Sequence, residues 1–208
     1  MHLREAISAR RSVRAFVDQP VPRDALEDAV ALAVQAPAPH HSAPWRFLIL
    51  TTEADKQRLA TAMGAAWKED LAADGLPRDR IDDIVGRSYD LLTKTPALVV
   101  CCADMTKAHS YSDERRARAE WSLYAHSIGA ALQNFMLALV ERDIASCWIS
   151  APVFCGDTVR RIFDLPDHLE PHALILVGYA SPDYNPRPRT PARADDYIIG
   201  PDSLADRE

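Results

Sequence analysis

The sequence predicts one compact domain of mixed α and β structure, and three observations support this. The chain has 208 residues, 48% of them hydrophobic and 26% charged, which is the usual composition of a globular domain with a sizeable core. Short apolar runs bounded by turn residues indicate buried strands, and apolar residues three or four positions apart indicate helices. No internal repeat and no linker precedes residue 180. We therefore expect a domain over residues 1–180 and, belonging to it, an extended proline-rich arm over residues 181–208.

The first quarter of the chain is predicted to hold two helices, a loop and a strand. A short helix over residues 2–10 leads into the extended segment RSVRAF. The second helix runs from Asp24 to Gln35, because Pro37 and Pro39 cannot continue it. It delivers the chain to the loop PAPHHSAPW, after which RFLILT is apolar on both faces and predicts a buried strand.

The longest helical pattern, from Asp113 to Arg142, places Trp121, Tyr124, Ile128 and further apolar residues on one wide face. The small residues from Gly129 to Ala131 would let another backbone approach closely, which is typical of a central or interfacial helix. The other predicted elements are helices from Glu53 to Ala73, Arg78 to Leu92 and Gly156 to Phe163, and the strands PALVVCC, ASCWIS and HALILVGY.

The charge balance and the N-terminal sequence exclude several classes of protein. A net charge of −6 and a pI near 5.6 give no basic field for a nucleic-acid backbone. The first residues are charged where a signal peptide is apolar, and no apolar run reaches the roughly 18 residues of a membrane span. The four cysteines form no C-x-x-C pair and are expected to be reduced core residues. We expect a cytoplasmic protein with a small-molecule substrate.

The glycines and arginines limit how a phosphate group could be bound. None of the seven glycines is separated from another by a single residue, so neither G-x-G-x-x-G nor the Walker pattern is present. A phosphate would have to be held by arginines, and these cluster near both ends of the chain. A solvated basic face is the alternative for either cluster alone. The clusters are Arg10, Arg11 and Arg14, with Ser12 between them, and Arg187, Arg189 and Arg193.

Five segments, taken in order, resemble the FMN-dependent nitroreductase superfamily. These are RRSVRAF at 10–16, PAPHHSAPW at 37–45, QNFMLAL from Gln133, SCWISAP at 146–152 and PRPR at 186–189. The resemblance implies an α+β sandwich with a mixed central sheet flanked by helices. It also implies an intertwined homodimer with an extended C-terminal arm and two FMN sites at the subunit interface.

The same resemblance implies a set of cofactor-binding residues. It assigns the FMN phosphate, ribityl and pyrimidine groups to Arg10, Arg11, Ser12 and Arg14, with Arg187 and Arg189 completing the phosphate site. Trp148 and the segment Pro152, Val153 and Phe154 would lie along the flavin. The loop with Pro39, His40 and His41 would reach it from the partner subunit, with histidines where many relatives carry other polar residues. The flavin N5 transfers the hydride, so no dedicated catalytic side chain is expected.

A narrower resemblance points to the C-terminal, nitroreductase-like domain of the bifunctional coenzyme F420 biosynthesis enzyme. It rests on APAPHH, AWKEDLAADGLP from Ala66 to Pro77, SCWIS, and FDLPDHLEPHALILVGY from Phe163 to Tyr179. It implies reduction of dehydro-F420-0 to F420-0 and binding of coenzyme F420 beside FMN. The residues expected to bind this substrate and its anionic tail are His40, His41, Trp67, Lys68 and Arg87.

Two alternatives remain open from the sequence. The same FMN motifs would serve a general nitroreductase or quinone reductase that uses NAD(P)H as donor, and they would also serve a flavin- or deazaflavin-binding protein without turnover. A metal site is not expected, because the adjacent His40 and His41 cannot easily face one ion and no third ligand stands at a useful spacing.

Overall fold

A computed structural model of the chain describes residues 1–200; the predicted arm therefore lies partly outside the described residues. The bounds of most elements lie within three residues of those predicted from the apolar patterns. The helices are α1 Leu3–Ala9, α2 Arg23–Ala33, α3 Glu53–Ala73, α4 Arg78–Lys94, α5 Glu114–Glu141 and α6 Gly156–Ile162, and the strands are β1 Trp45–Leu50, β2 Ala97–Asp104, β3 Ala145–Ile149 and β4 Leu169–Gly178.

The four strands form one antiparallel sheet in the order β1-β2-β4-β3. This confirms the α+β fold but corrects the expected mixed sheet. Parallel pairing in the described part of the chain is confined to an isolated bridge between Ser12 and Ser146, at the free edge of β3. The N-terminal segment therefore lies beside the sheet without becoming a strand of it.

Strand β4 begins at Leu169, three residues before the predicted start at His172. Pro171 lies inside this strand, where a proline normally interrupts the ladder because it lacks an N–H group. The pairing register shifts between Cys101 and Cys102, opposite this point, and such an irregularity accommodates the missing donor. The apolar pattern therefore predicted a start of β4 that was three residues too late.

The sheet is covered on both faces, which agrees with the predicted two-faced apolar strands. On one face, Val99, Cys101 and Ile175 pack with α2 and α5 in the larger core. On the other face, Leu98, Val100 and Leu174 pack with α3, α4 and α6. The result is a three-layered sandwich, in which the sheet lies between two layers of helices.

Helix α5 carries much of the larger core, and its side chains Tyr124, Leu132 and Phe135 are fully buried. Asp113 caps its first turn by accepting a hydrogen bond from the Arg116 backbone N–H at 3.0 Å, as its position predicts. With a mean hydropathy of 1.3 over an 18-residue window, α5 is long and apolar enough to cross a membrane by length and composition alone. Here it packs against α2 and the sheet, which identifies it as the core helix.

Candidate functional site

Residues from the two ends of the chain meet at the C-terminal end of α1. Arg189 donates hydrogen bonds to the carbonyl oxygens of Ile7 at 3.1 Å and Ser8 at 3.4 Å, and also to that of Arg10. Burial and the neighbouring charges of Arg11 and Arg10 lower the pKa of Arg189. Arg189 of the late sequence cluster therefore joins Arg10 and Arg11 of the early one in the folded chain, whereas Arg193 pairs with Asp195.

The arginines of this cluster divide into two groups by their partners. Arg11 and Arg189 are bonded to backbone carbonyls at the end of α1, Arg11 to that of Ser8 at 2.6 Å. Within residues 1–200, the side chains of Arg10, Arg14 and Arg187 make no hydrogen bond and no ion pair. These three guanidinium groups are therefore available to an anion.

Arg14 and Arg10 lie near the edge strand β3. Burial raises the pKa of Cys147, and the charges of Arg14 and Arg10 partly offset the rise. The Trp148 side chain is largely covered, and its buried indole N–H has no hydrogen-bond partner in the described chain. An unpaired buried donor of this kind is uncommon and lies close to the predicted flavin segment.

Residues 181–193 contain no helix or strand and lie along the N-terminal segment. The Tyr184 hydroxyl donates to the carbonyl oxygen of Ser12 at 2.6 Å, and Tyr184 N–H bonds to the carbonyl of Ser181. The hydrogen bonds of this stretch hold Arg189 next to Arg10 and Arg11.

The segment after β3 opens a cleft. Ala151–Val153 form a single helical turn, Pro152 is buried, and Phe154 is 84% exposed. Two adjoining cavities of about 470 and 440 Å³ meet here and share Asp70, Phe154 and Cys155. The N–H groups of Val153, Phe154 and Cys155 are bonded within the turn, at 3.0 to 3.3 Å.

The two cavities differ in character. The smaller is mostly apolar, and its wall includes Trp67, Leu71 and Ile149. The larger carries the carboxylates of Glu69, Asp70, Asp157 and Glu170 against the single guanidinium of Arg160, which is paired with Asp157. The cleft as a whole therefore has an excess of negative charge.

At the back of the larger cavity, Trp121 links two polar residues of β4. Its indole N–H donates to the Glu170 carboxylate at 2.8 Å, and its ring stacks on the buried His172 at 5.1 Å between centroids. The His172 Nε2 atom lies 3.8 Å from Glu170, too far for a hydrogen bond, and has no other partner in the described residues. The nearby His172 imidazole, together with the hydrogen bond from Trp121, holds the pKa of Glu170 below its usual value, although burial opposes this.

The loop between α2 and β1 is held in an uncommon conformation. His40, His41 and Ala43 have φ values of 54°, 49° and 47°, in the left-handed region that non-glycine residues rarely adopt. Arg46 anchors the loop by donating to the Ala43 carbonyl at 3.1 Å and to the Asp104 carboxylate at 2.5 Å. The surrounding fold therefore imposes the loop geometry.

The two histidines of this loop have different surroundings. His40 stacks on His109, with ring centroids 4.2 Å apart, and its Nε2 lies 3.6 Å from the buried carboxylate of Glu120. His41 is exposed and has no such partner in the described chain. The sequence analysis did not identify Glu120 as a residue of the site. Its position beside the apolar face of a core helix was the signal that could have indicated it.

Two residues predicted to bind the substrate tail lie elsewhere. Lys68 pairs with Asp82 at 2.7 Å and Arg87 pairs with Asp83 at 2.7 Å. Neither residue lines the two cavities. Both cations are paired with acidic residues of α4 at the surface.

The cysteines do not supply a reactive thiol. All four are free, and burial raises the pKa of each, to about 12 for Cys102. Cys155, at the cleft, is half-buried, and its raised pKa keeps it protonated and weakly nucleophilic.

Comparison with known proteins gives a consistent result. The nitroreductase family model matches residues 7–179. YfhC of Bacillus subtilis (strain 168), which carries an assignment as an NAD(P)H nitroreductase, is 26% identical over 191 residues, 92% of this chain and 91% of YfhC. The chloronitrobenzene nitroreductase of Comamonas testosteroni is 27% identical over 198 residues, 85% of this chain and 86% of that enzyme.

A solved structure agrees with these relatives. The FMN-dependent nitroreductase NfnB of Mycobacterium smegmatis, in complex with NADPH, superposes with a TM-score of 0.65 at 25% identity, covering 85% of this chain and 86% of NfnB.

Replacing Asp104 with Asn should lower the free energy of unfolding by about 1–3 kcal/mol at neutral pH, because Arg46 and Thr106 lose a charged acceptor. Burial acts to raise the pKa of Asp104, but hydrogen bonds from Thr106 and the Arg46 charge hold it below its usual value. A lowered carboxyl pKa stabilises the fold above the unfolded-state pKa of about 3.9, and this contribution disappears as the pH falls.

Chemical denaturation of both proteins between neutral pH and pH 3 measures this difference. Asp90→Asn, which removes only an exposed pair with Lys94, is the matched control and should change stability little. An equal stability of wild type and Asp104→Asn at neutral pH would show that the Arg46 anchor does not stabilise the loop.

Proposed function

The chain belongs to the nitroreductase family, and from this premise we propose that it is an FMN-dependent oxidoreductase acting on neutral, electron-poor acceptors with a nicotinamide donor. The observation that carries this proposal is the cluster at the end of α1, where Arg10, Arg14 and Arg187 have no partner of opposite charge within residues 1–200. A phosphate group is the anion that such guanidiniums bind best.

The residues present fit an FMN phosphate. The cluster combines unpaired guanidinium groups with the exposed hydroxyl of Ser12, which supplies a neutral hydrogen-bond partner. Arg11 and Arg189 hold the surrounding backbone and do not compete for the anion. Arg10, Arg14 and Arg187 would hold the phosphate, and the buried N–H of Trp148 is a further donor on the adjoining strand.

When bound, FMN supplies the hydride chemistry through its N5 atom. The protein groups bind and orient the cofactor, and the arginines neutralise its phosphate. The turn Ala151–Val153 follows β3, and Val153 and the exposed Phe154 line the larger cavity of the cleft. Apolar side chains of the smaller cavity exclude water from an acceptor placed there.

The charge of the cleft favours one class of acceptor. Its carboxylates outnumber its single paired arginine, so an anionic acceptor would be repelled and a neutral or cationic one would not. Trp67 and Phe154 offer aromatic surfaces to a planar ring. A nitroaromatic compound or a quinone meets both conditions, and the chloronitrobenzene enzyme among the relatives acts on a compound of the first kind.

The electron donor is proposed by analogy with a relative. NfnB is described in complex with NADPH, and YfhC is assigned as an NAD(P)H nitroreductase. With FMN held by the arginines, the cleft would admit the nicotinamide donor and, after that donor leaves, the acceptor. Both half-reactions would then use the same cleft.

A second candidate is the reduction of dehydro-F420-0, which the segments resembling the F420-forming domain support. In the fold two of these segments contact the first turns of α5, where His40 lies near Glu120 and the β4 residues Glu170 and His172 contact Trp121. The acidic cleft and the ion pairs of Lys68 and Arg87 disfavour the anionic tail of this substrate. The neutral acceptor is therefore our first choice.

We also propose a homodimer. A groove of about 380 Å³ between α1, α2 and α5 is lined by Leu3, Leu32 and Leu137, and the first two of these side chains are 69% and 44% exposed. A large exposed apolar surface of this kind is typical of an interface. The shared FMN site and a cytoplasmic location stay predictions.

Arg14→Ala should weaken FMN binding about 10- to 150-fold, the loss expected when charged hydrogen bonds worth about 1.5–3 kcal/mol are removed. Quenching of flavin fluorescence on titration into apoprotein measures the affinity. Arg23→Ala removes an arginine already paired with Glu27 and serves as the control, with no change expected. Unchanged affinity in Arg14→Ala and in Arg10→Ala would contradict the phosphate site.

FMN-loaded protein should oxidise NADPH steadily in the presence of a nitroaromatic compound or a quinone. Introducing a positive charge by Asp70→Lys, at the junction of the two cavities, should favour anionic acceptors over neutral ones in kcat/KM. If the reduced protein reoxidises with dehydro-F420-0 but not with neutral acceptors, the second candidate replaces the first. Reduction of the flavin without reoxidation by either acceptor would indicate a binding protein without turnover.

A further inference from the structure

Three side chains that the proposed reaction does not use come together at the start of α5. They are His40 in the strained loop before β1, His109 after β2, and Glu120 on α5. Their potential ligand atoms all lie within 4.8 Å of one another. The three residues come from separate segments of the chain, so the fold alone creates the group.

The chemistry of this group is that of a transition-metal site. Two imidazoles and one carboxylate are a common protein ligand set for Zn²⁺, leaving a further position for water. We propose that His40, His109 and Glu120 bind one divalent transition-metal ion, with Zn²⁺ as the reference ion. The site is independent of the flavin proposal, because none of its three ligands belongs to the arginine cluster or lines the cleft.

The carboxylate is already oriented for this role. Glu120 is 5% exposed, and its Oε1 atom accepts a hydrogen bond from the His109 backbone N–H at 2.9 Å. A ligating carboxylate is usually held by such an outer hydrogen bond. The same bond ties the segment carrying His109 to the helix carrying Glu120, so two of the three ligands have a fixed spacing.

The imidazoles need only a local adjustment. Ring centroids 4.2 Å apart with planes at 27° describe a stack, whereas two imidazoles on one ion point their nitrogen atoms at a common centre. Both side chains are at the surface, so rotation of the His109 ring out of the stack meets little packing. Metal binding should therefore replace the stack and draw the ligand nitrogen atoms closer together.

A bound ion would also explain the strained backbone beside it. His40 and His41 both have positive φ values, and such residues persist where surrounding contacts determine them. The conformation turns the His40 ring toward Glu120, while His41 remains free of the group. A metal would hold the loop in this arrangement and raise the thermal stability of the protein.

The test is a titration of tag-free, flavin-loaded protein with Zn²⁺ and, separately, with Co²⁺ as a spectroscopic probe. One equivalent of Zn²⁺ should bind by calorimetry and raise Tm, and Co²⁺ should develop d–d absorption typical of nitrogen and oxygen ligands. His40→Gln, His109→Gln and Glu120→Gln should each weaken Zn²⁺ binding by about 100-fold or more, because each removes one of only three protein ligands.

His41→Gln is the matched control, since it changes the neighbouring histidine of the same loop and should leave Zn²⁺ affinity unchanged. Circular dichroism of each variant without metal verifies that Glu120→Gln is folded. The proposal is overturned if wild type binds no stoichiometric Zn²⁺, or if His41→Gln weakens binding as much as the ligand variants do. Retained affinity in a folded Glu120→Gln variant would overturn it as well.

Discussion

The hydrogen bonds from Arg189 to the end of α1 are the interaction on which the proposed cofactor site depends. They join residues 179 to 182 positions apart and thereby bring the basic segments of the two chain ends into one cluster. The carbonyl oxygens at a helix C-terminus lack partners within the helix, so a guanidinium satisfies them and complements the helix dipole. Tyr184, bonded to Ser12, fixes the intervening stretch of chain.

This arrangement has an electrostatic consequence. Arg10 lies near Arg11 and Arg189, and Arg10, Arg14 and Arg187 have no compensating carboxylate within residues 1–200. Like charges held together by the fold repel one another, and a bound anion relieves that repulsion. The cleft carries the opposite excess of charge. On our proposal, the arginines bind the FMN phosphate and the cleft selects against anionic acceptors.

The sequence predicted most helices and strands because apolar periodicity reports directly on burial, as in β2 and α5. It missed the antiparallel order of the sheet, since strand pairing is set by contacts between distant segments. It also missed the early start of β4, where Pro171 is tolerated at a register shift. Only the family resemblance assigned the arginines to one site, because no local sequence pattern shows that residues from the two chain ends come together.

The contacts of the site residues were not visible in the sequence either. Lys68 and Arg87, predicted to bind a substrate tail, pair with Asp82 and Asp83 on α4 in the fold. His109 and Glu120 are separated from His40 by at least 69 positions, so their association with it is visible only in three dimensions.

The most direct test of the central claim compares FMN with riboflavin, which has the same ring system and ribityl chain but no phosphate. Apoprotein should bind FMN at least about 100-fold more tightly than riboflavin at low salt, and added salt should narrow the difference, because charged guanidiniums supply it. Equal affinity for the two flavins would show that the arginine cluster does not bind the phosphate and would contradict the account.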